Sequence, residues 1–276
     1  MAGSALQSRD HVAAIVENFV TARREARALR DYPGVVPADL ATAYRCQEMA
    51  IERWPDRIGG WKVARIAPHA REQYPEERLI GPAFSRNIQY VSSDTVVECP
   101  VFRGGFAAVE AEIVIRVART SPVDERTWTL DEAEGYVGSV HIGVEMASSP
   151  LATLNHLGPG AVISDFGNNW GVIVGEEIKD WRSLSQVAAQ TFIDGSHVGQ
   201  GTASIRDGAL GALAFTLGKC AQRGRRLHEG DVISTGMITG VHDVRVGQMA
   251  RCVFENYGEV QCKIVEAVAS IAEKLR

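Results

Sequence analysis

Residues 107–117 read Ala-Ala-Val-Glu-Ala-Glu-Ile-Val-Ile-Arg-Val, and this stretch decides the fold class. Its apolar and largely β-branched composition predicts a strand over residues 109–118. Because side chains alternate along a strand, Glu110 and Glu112 project from one face, and the apolar residues form a core face on the other. The sequence thus sets two carboxylates side by side in apolar surroundings, where they repel each other and lose hydration.

A divalent cation is the simplest group that would offset this repulsion. Glu145 lies in a second apolar stretch, His-Ile-Gly-Val-Glu-Met at 141–146, and supplies a third carboxylate. Three carboxylates suit a hard ion such as Mg²⁺, so we expect Glu110, Glu112 and Glu145 to be metal ligands. The alternative from spacing alone is that the pair lies on the solvated face of an edge strand.

Composition restricts the classes of protein that the chain can belong to. Its 276 residues, 45% apolar and 23% charged, suffice for one large domain with a core. A net charge of −5 gives no reason to expect nucleic acid or a membrane as partner. The five cysteines lack zinc spacing and favour a reducing compartment. The sequence shows no signal peptide and no apolar run of membrane-spanning length, so we expect a cytoplasmic protein.

The chain divides by pattern into two parts, which predicts an α+β fold. Apolar residues recur at helical spacing in residues 1–57, which we interpret as a helical N-terminal segment. Residues 58–276 alternate short β-branched runs with turn residues, which predicts a β-rich catalytic domain with one helix at 208–223. Strands are expected at 58–63, 88–91, 95–102, 109–118, 137–146, 161–165, 170–175, 231–235, 248–255 and 259–267.

Two residues are candidates for catalysis. Lys62 follows two glycines in a predicted strand and shares a face with small residues, so it can bind a carboxylate or move a proton. Asp165 ends the strand predicted at 161–165 and precedes Phe166-Gly167, where it can orient Lys62 or a metal-bound water. The alternatives are a solvated surface lysine and an aspartate that caps a turn.

Substrate contacts are expected from the segment Gly230-Asp231-Val232-Ile233-Ser234-Thr235-Gly236. The hydroxyls of Ser234 and Thr235 can hydrogen-bond a substrate carboxylate, although ordinary turn chemistry explains them equally well. Arg65 can meet a second carboxylate if the substrate has one. No G-x-S-x-G, P-loop or G-x-G-x-x-G motif is present, which argues against a serine hydrolase or a nucleotide-binding protein.

An ordered series of motifs resembles the 2-keto-4-pentenoate hydratase and 4-oxalocrotonate decarboxylase branch of the fumarylacetoacetase-like superfamily. The series covers most of the chain. It comprises Ala41-Thr42-Ala43-Tyr44-Arg45-Cys46-Gln47, Gly60-Trp61-Lys62-Val63, Gly81-Pro82-Ala83-Phe84, Val109-Glu110-Ala111-Glu112-Ile113, the strand of Glu145, Ser164-Asp165, and the segment from Leu227 to Gly236.

The resemblance implies a mostly β body with a helical N-terminal segment, and Mg²⁺ or Mn²⁺ held by Glu110, Glu112 and Glu145. It also implies a catalytic or substrate-binding Lys62 and a homo-oligomer that acts on 2-oxo or dienol acids from aromatic-compound catabolism. The chain departs from such relatives at Ala64-Arg65-Ile66 and at Asp165-Phe166-Gly167-Asn168. These departures lie in or near the substrate pocket, which therefore need not be that of the usual hydratase.

A hydratase that adds water to a 2-hydroxydienoate or 2-oxoalkenoate is the first functional hypothesis. A decarboxylase of 4-oxalocrotonate-like 2-oxo diacids is the alternative within the same branch. Two further alternatives are an acylpyruvate C–C hydrolase and a non-catalytic subunit bound to a partner enzyme of the pathway.

Overall fold

The computed structural model describes residues 2–269, with side chains from residue 11 onward. In this part of the chain the helices are α1 Ala2–Arg24, α2 Leu40–Arg53, α3 Leu130–Glu134, α4 Pro159–Ser164 and α5 Gly211–Gln222. The strands are β1 Ile58–Arg65, β2 Arg78–Phe84, β3 Ile88–Tyr90, β4 Val96–Val101, β5 Phe106–Val117, β6 Val137–Ser149, β7 Asn169–Glu177, β8 Gln186–Ile193, β9 Ser196–Ser204, β10 Val232–Met237, β11 His242–Asp243, β12 Met249–Phe254 and β13 Gly258–Glu266. None of the described helices is long and apolar enough to cross a membrane.

The strands form two sheets. The larger sheet has eight strands in the order β2-β1-β10-β5-β6-β7-β3, with β11 paired to β5 outside this order. The smaller has five strands in the order β4-β13-β12-β8-β9. Both sheets are mixed, because β1 runs parallel to β10 and β4 runs parallel to β13 within otherwise mainly antiparallel ladders. This confirms the predicted α+β fold class with a mostly β body.

The two faces of β5 have different environments, as the alternating sequence pattern predicts. Val109, Ala111, Ile113, Ile115 and Val117 are fully buried in the main hydrophobic core. The other face carries Glu110, Glu112 and Val114, and Val114 packs in a small second core with residues of β2, β7 and β10. The carboxylates therefore lie on the face of the larger sheet that carries the small second core, and we call this face the inner face.

The larger sheet curls, which brings β2 close to the turn that precedes β7. A Cβ added to Gly81 would lie 2.2 Å from the carbonyl oxygen of Phe166. Only glycine allows backbones to approach this closely. The turn therefore closes the inner face of the sheet beside Lys62, whose strand β1 pairs with β2 in the register Lys62 to Gly81.

The helical N-terminal segment shares its core with the sheets. The apolar stripe of α1, including Val12, Ile15 and Phe19, belongs to the same buried cluster as Ala43 of α2 and Ile113 of β5. The proposed boundary between residues 57 and 58 stays a prediction.

The strand predicted at 161–165 is wrong, because residues 159–164 form α4. The β-branched pair Val162-Ile163 favoured a strand, but Pro159 at the start of the segment fits the first turn of a helix. Asp165 therefore follows a helix and not a strand. Strands β2, β8, β9 and β11 were not predicted, nor was α3, so the β-rich part contains more than the one helix expected at 208–223.

Gly81→Ala tests the close approach of β2 and the turn. The added methyl group would overlap the Phe166 carbonyl oxygen, so we expect a loss of about 1–3 kcal/mol in unfolding free energy. Chemical denaturation measures this loss. Gly208→Ala is the control, because its nearest neighbour to an added Cβ lies 3.9 Å away. Equal stability of the two variants would contradict the closure.

Candidate metal and active site

Three glutamates meet on the inner face of the larger sheet. Glu110 of β5 lies directly opposite Glu145 of β6, and Glu112 follows two residues later on the same face. Each residue offers one carboxylate oxygen, and these oxygens lie within 4.8 Å of one another. Glu112 and Glu145 are 0% exposed and Glu110 is 8% exposed. The alternative of a solvated edge strand is excluded, because β5 lies inside the sheet between β10 and β6.

The electrostatics of the trio show how unfavourable three buried anions are without a cation. Burial, together with the neighbouring charge of Glu145, raises the pKa of Glu110 to about 8, against a smaller opposing effect of Lys62. Burial and the charges of Glu145 and Glu110 also raise the pKa of Glu112 well above its usual value. Glu110 and Glu112 therefore tend to retain protons at neutral pH unless a positive charge replaces them.

The trio fits a divalent metal ion. Oxygen Oε1 of Glu112 and oxygen Oε2 of Glu145 are buried and accept no hydrogen bond. Unpaired buried carboxylate oxygens are costly, and a metal ion satisfies them. Mg²⁺ prefers oxygen ligands, and the three carboxylates supply them with ligand atoms within 4.8 Å of one another.

Strand β10 carries Ser234 and Thr235, the predicted substrate-binding residues, and it also orients Glu112. Ser234 Oγ donates a hydrogen bond of 2.5 Å to Glu112 Oε2, and the backbone N–H of Gly236 donates one of 2.9 Å to the same oxygen. Thr235 Oγ1 donates to the carbonyl oxygen of Ile113 at 2.8 Å. Ser234 therefore orients a candidate metal ligand, and the contacts of both hydroxyls with a substrate stay predictions.

Lys62 lies beside the trio and is not a surface residue. It is 4% exposed, and its Nζ atom lies 3.2 Å from Glu145 Oε1. Burial by itself would lower the pKa of Lys62, but the carboxylates of Glu145, Glu110 and Glu112 outweigh this effect and raise it. The ammonium group is thus charged next to the candidate metal site, and its catalytic role stays a prediction.

Asp165 is buried, and both of its carboxylate oxygens face Arg23. Arg23 Nε donates to Oδ1 at 2.5 Å, and Nη2 donates to Oδ2 at 3.0 Å. Among the hydrogen bonds of the described residues, none joins Asp165 to Lys62. The proposed role of Asp165 as a proton-transfer helper stays a prediction, and its observed role is to bind an arginine.

Arg65 lies apart from the other candidate residues. It lies three positions after Lys62 along β1, an odd spacing, so the two side chains point to opposite faces of the strand. It is exposed and lies opposite Arg78 in the β1–β2 register. The structure brings Lys62, Ser234 and the three glutamates together and leaves Arg65 outside this group.

Two residues at the site were missed by the sequence analysis. Asn169 donates from Nδ2 to Glu145 Oε1 at 3.1 Å, and its sequence gives no signal for this role. Arg23 follows Phe19 by four residues and Val16 by seven, so it falls on the buried stripe of α1. A charged residue at such a position signals a buried partner.

Several solved enzyme structures resemble this one. A 4-oxalocrotonate decarboxylase from Pseudomonas putida G7, complexed with magnesium and adipate, matches with a TM-score of 0.73 and 20% identity over 93% of this chain and 98% of that chain. A fumarylpyruvate hydrolase from Pseudomonas aeruginosa, in complex with Mn²⁺ and pyruvate, matches with a TM-score of 0.57 and 18% identity over 78% of this chain and 91% of that chain. A 5-carboxymethyl-2-hydroxymuconate delta-isomerase from Mycobacterium smegmatis matches with a TM-score of 0.52 and 18% identity over 77% of this chain and 81% of that chain.

No protein-family model matches the sequence, and no curated protein matches it. At identities of 18–20%, the likeness to the solved structures establishes the fold. These neighbours are enzymes of the fumarylacetoacetase-like superfamily. The chain has the fumarylacetoacetase-like fold that its sequence motifs implied.

Proposed function

We propose that the protein is a divalent-metal-dependent hydro-lyase that adds water to a 2-hydroxydienoate or 2-oxoalkenoate, of the 2-oxopent-4-enoate hydratase type. The observation that carries this proposal is the buried trio of glutamates with unpaired oxygens, next to the ammonium group of Lys62. The substrate class follows from the motifs of the sequence and from the acids named with the structural neighbours.

Glu110, Glu112 and Glu145 would hold Mg²⁺ or Mn²⁺. A divalent ion at this position supplies Lewis acidity to the carboxylate and keto oxygens of a 2-oxo acid, where negative charge develops during proton transfer. Ser234 and the N–H of Gly236 fix the orientation of the Glu112 carboxylate, and Asn169 does the same for Glu145, so both would be positioned to hold the ion. The burial of the trio excludes bulk water and strengthens these interactions.

Lys62 is the proposed proton donor. Its protonated Nζ atom lies 3.2 Å from Glu145 Oε1, which places it within reach of a substrate bound at the trio. A proton delivered from Nζ to the carbon chain of the dienol, with the proton of the 2-hydroxyl group passing to the neutral amine left on Lys62 or to solvent, would convert the dienol to the enone to which water adds. The same ammonium group can hydrogen-bond the substrate carboxylate, so one side chain would both bind the acid and donate the proton.

A decarboxylase of 4-oxalocrotonate-like 2-oxo diacids is the second candidate. The observation in its favour is the similarity to 4-oxalocrotonate decarboxylase, which extends over 93% of this chain. The two reactions need the same stabilisation of negative charge and the same proton delivery, and they differ in whether water adds or CO₂ leaves. The site geometry serves both.

Parallel assays of the purified protein with Mg²⁺ separate these reactions. We expect loss of dienol absorbance with 2-hydroxypenta-2,4-dienoate and no CO₂. Release of CO₂ from 4-oxalocrotonate would replace the hydratase proposal by the decarboxylase, and cleavage of an acylpyruvate would replace it by the hydrolase. A folded, metal-loaded protein without any of these activities would favour a non-catalytic subunit bound to a pathway enzyme.

We also propose that the chain forms a homo-oligomer. Strand β9 is an edge of the smaller sheet, and unpaired edge strands are usually covered by another surface. Light scattering should give a mass of at least two chains, and a monomer at micromolar concentration would contradict this proposal.

Metal binding should depend on pH through Glu110. The pKa of this carboxyl group is about 8 in the folded protein, whereas the pKa of a free glutamate is 4.5. Deprotonation above pH 4.5 therefore favours the unfolded chain, and the metal-free protein should lose stability between about pH 5 and pH 8. A divalent ion replaces these protons, so the gain in melting temperature with Mg²⁺ should be larger at pH 8 than at pH 6.

Glu110→Gln tests the assignment of this effect. The uncharged variant should be at least as stable as the wild type at pH 8 without metal, and it should lose most of the gain with Mg²⁺. Exposed Glu98 in the other sheet provides the control Glu98→Gln, which should behave as wild type. A wild-type Mg²⁺ response of Glu110→Gln would contradict the metal site.

Lys62→Ala should lower turnover by roughly 10²–10⁴-fold if Lys62 delivers a proton. Metal binding should survive, since Lys62 supplies no ligand atom and Asn169 still orients Glu145 Oε1 in the variant, and titration calorimetry with Mn²⁺ checks this point. Lys62→Arg should not restore turnover, because a guanidinium group keeps its proton near neutral pH. Wild-type turnover of Lys62→Ala would show that the lysine serves only to neutralise the buried carboxylates.

A further inference from the structure

Arg23 connects the N-terminal helix with the candidate metal site. It lies one residue before the end of α1 and is 4% exposed. Besides its two bonds to the Asp165 carboxylate, Nη1 donates to the carbonyl oxygen of Asn169 at 3.1 Å, and Nη2 donates to that of Ser148 at 3.0 Å. A single guanidinium group thus joins α1, the end of β6 and both ends of the turn between α4 and β7.

The turn held by Arg23 has an unfavourable backbone. Phe166, Gly167 and Asn168 have φ values of 52°, 69° and 65°, so three consecutive residues adopt the left-handed conformation. Two of them carry side chains, for which this conformation is disfavoured. Such a segment persists only when its surroundings hold it. The bidentate pair with Asp165 fixes its start, and the bond to the Asn169 carbonyl fixes its end.

The same turn contacts both functional side chains of the site. Asn169 Nδ2 donates to Glu145 Oε1, the oxygen that also faces Lys62 Nζ. Both contacts use Oε1, and Oε2 of Glu145 is left buried and without a hydrogen bond. A Cβ added to Gly167 would lie 3.4 Å from Cδ of Lys62. The turn and the residue that follows it therefore contact both Glu145, at Oε1, and Lys62.

We propose that Arg23 is a positioning residue for metal binding, acting through the turn and Asn169 on Glu145. The proposal rests on the proposed metal-dependent function, and it assigns to α1 a role in the site. Asp165 is then the anchor of Arg23. Partners that orient metal ligands typically change metal affinity by about 10–100-fold when they are removed.

Metal affinity distinguishes this role from simple packing of α1. We expect Arg23→Lys to weaken Mn²⁺ binding at least about 10-fold, because an ammonium group cannot make the bidentate pair and reach both carbonyl oxygens. Titration calorimetry with Mn²⁺ measures the affinity, and the denaturation midpoint measures stability. Val16→Ala removes buried volume from the same helix without touching the turn, so it should lower the midpoint and keep wild-type Mn²⁺ affinity.

Asn169→Ala provides the second arm, since it removes the amide and leaves the carbonyl oxygen that Arg23 binds. It should weaken Mn²⁺ binding as Arg23→Lys does, and the double variant should bind about as weakly as either single one, because both act through Glu145. Wild-type Mn²⁺ affinity of a destabilised Arg23→Lys, matching Val16→Ala, would overturn the proposal. If Glu110→Gln also keeps wild-type Mn²⁺ affinity, the metal site itself is refuted. If Glu110→Gln loses Mn²⁺ affinity, the metal site stands and only the positioning role of Arg23 is refuted.

Discussion

The site depends on one electrostatic constraint: three buried carboxylates carry more negative charge than the neighbouring ammonium group of Lys62 can neutralise. Burial and the mutual repulsion of the carboxylates raise the pKa values of Glu110 and Glu112, and the single ammonium group of Lys62 does not offset this effect. The unpaired oxygens of Glu112 and Glu145 mark where additional positive charge is needed. A divalent ion meets this need and supplies the Lewis acidity that chemistry on a 2-oxo acid requires.

The fold provides rigid support for this arrangement. Glu110 and Glu145 face each other across the longest ladder of the larger sheet, and β10 brings Ser234 and the N–H of Gly236 to Glu112. The remaining side is closed by an irregular turn, which an arginine from the first helix holds in place. Strand pairing thus positions the three glutamates, whereas the turn before β7 depends on buried polar contacts.

The sequence predicted the parts of the site that follow from strand periodicity. Glu110 and Glu112 were placed on one face by their spacing of two, and Glu145 by its apolar neighbours. Asp165 was misplaced, because Val162 and Ile163 favour a strand locally while tertiary packing and Pro159 give a helix. The stripe of α1 indicates that Arg23 has a buried partner, but no local pattern identifies Asp165, 142 residues away, or links Asn169 to Glu145 on another strand.

Anomalous scattering from a crystal grown with Mn²⁺ tests the central claim most directly. The account predicts one strong peak in each chain, bonded to Glu110, Glu112 and Glu145, with Oε2 of Glu145 and Oε1 of Glu112 among the ligands. Asn169 should keep its hydrogen bond to the other oxygen of Glu145. A peak bound elsewhere, or a trio without a peak at saturating Mn²⁺, would contradict the account.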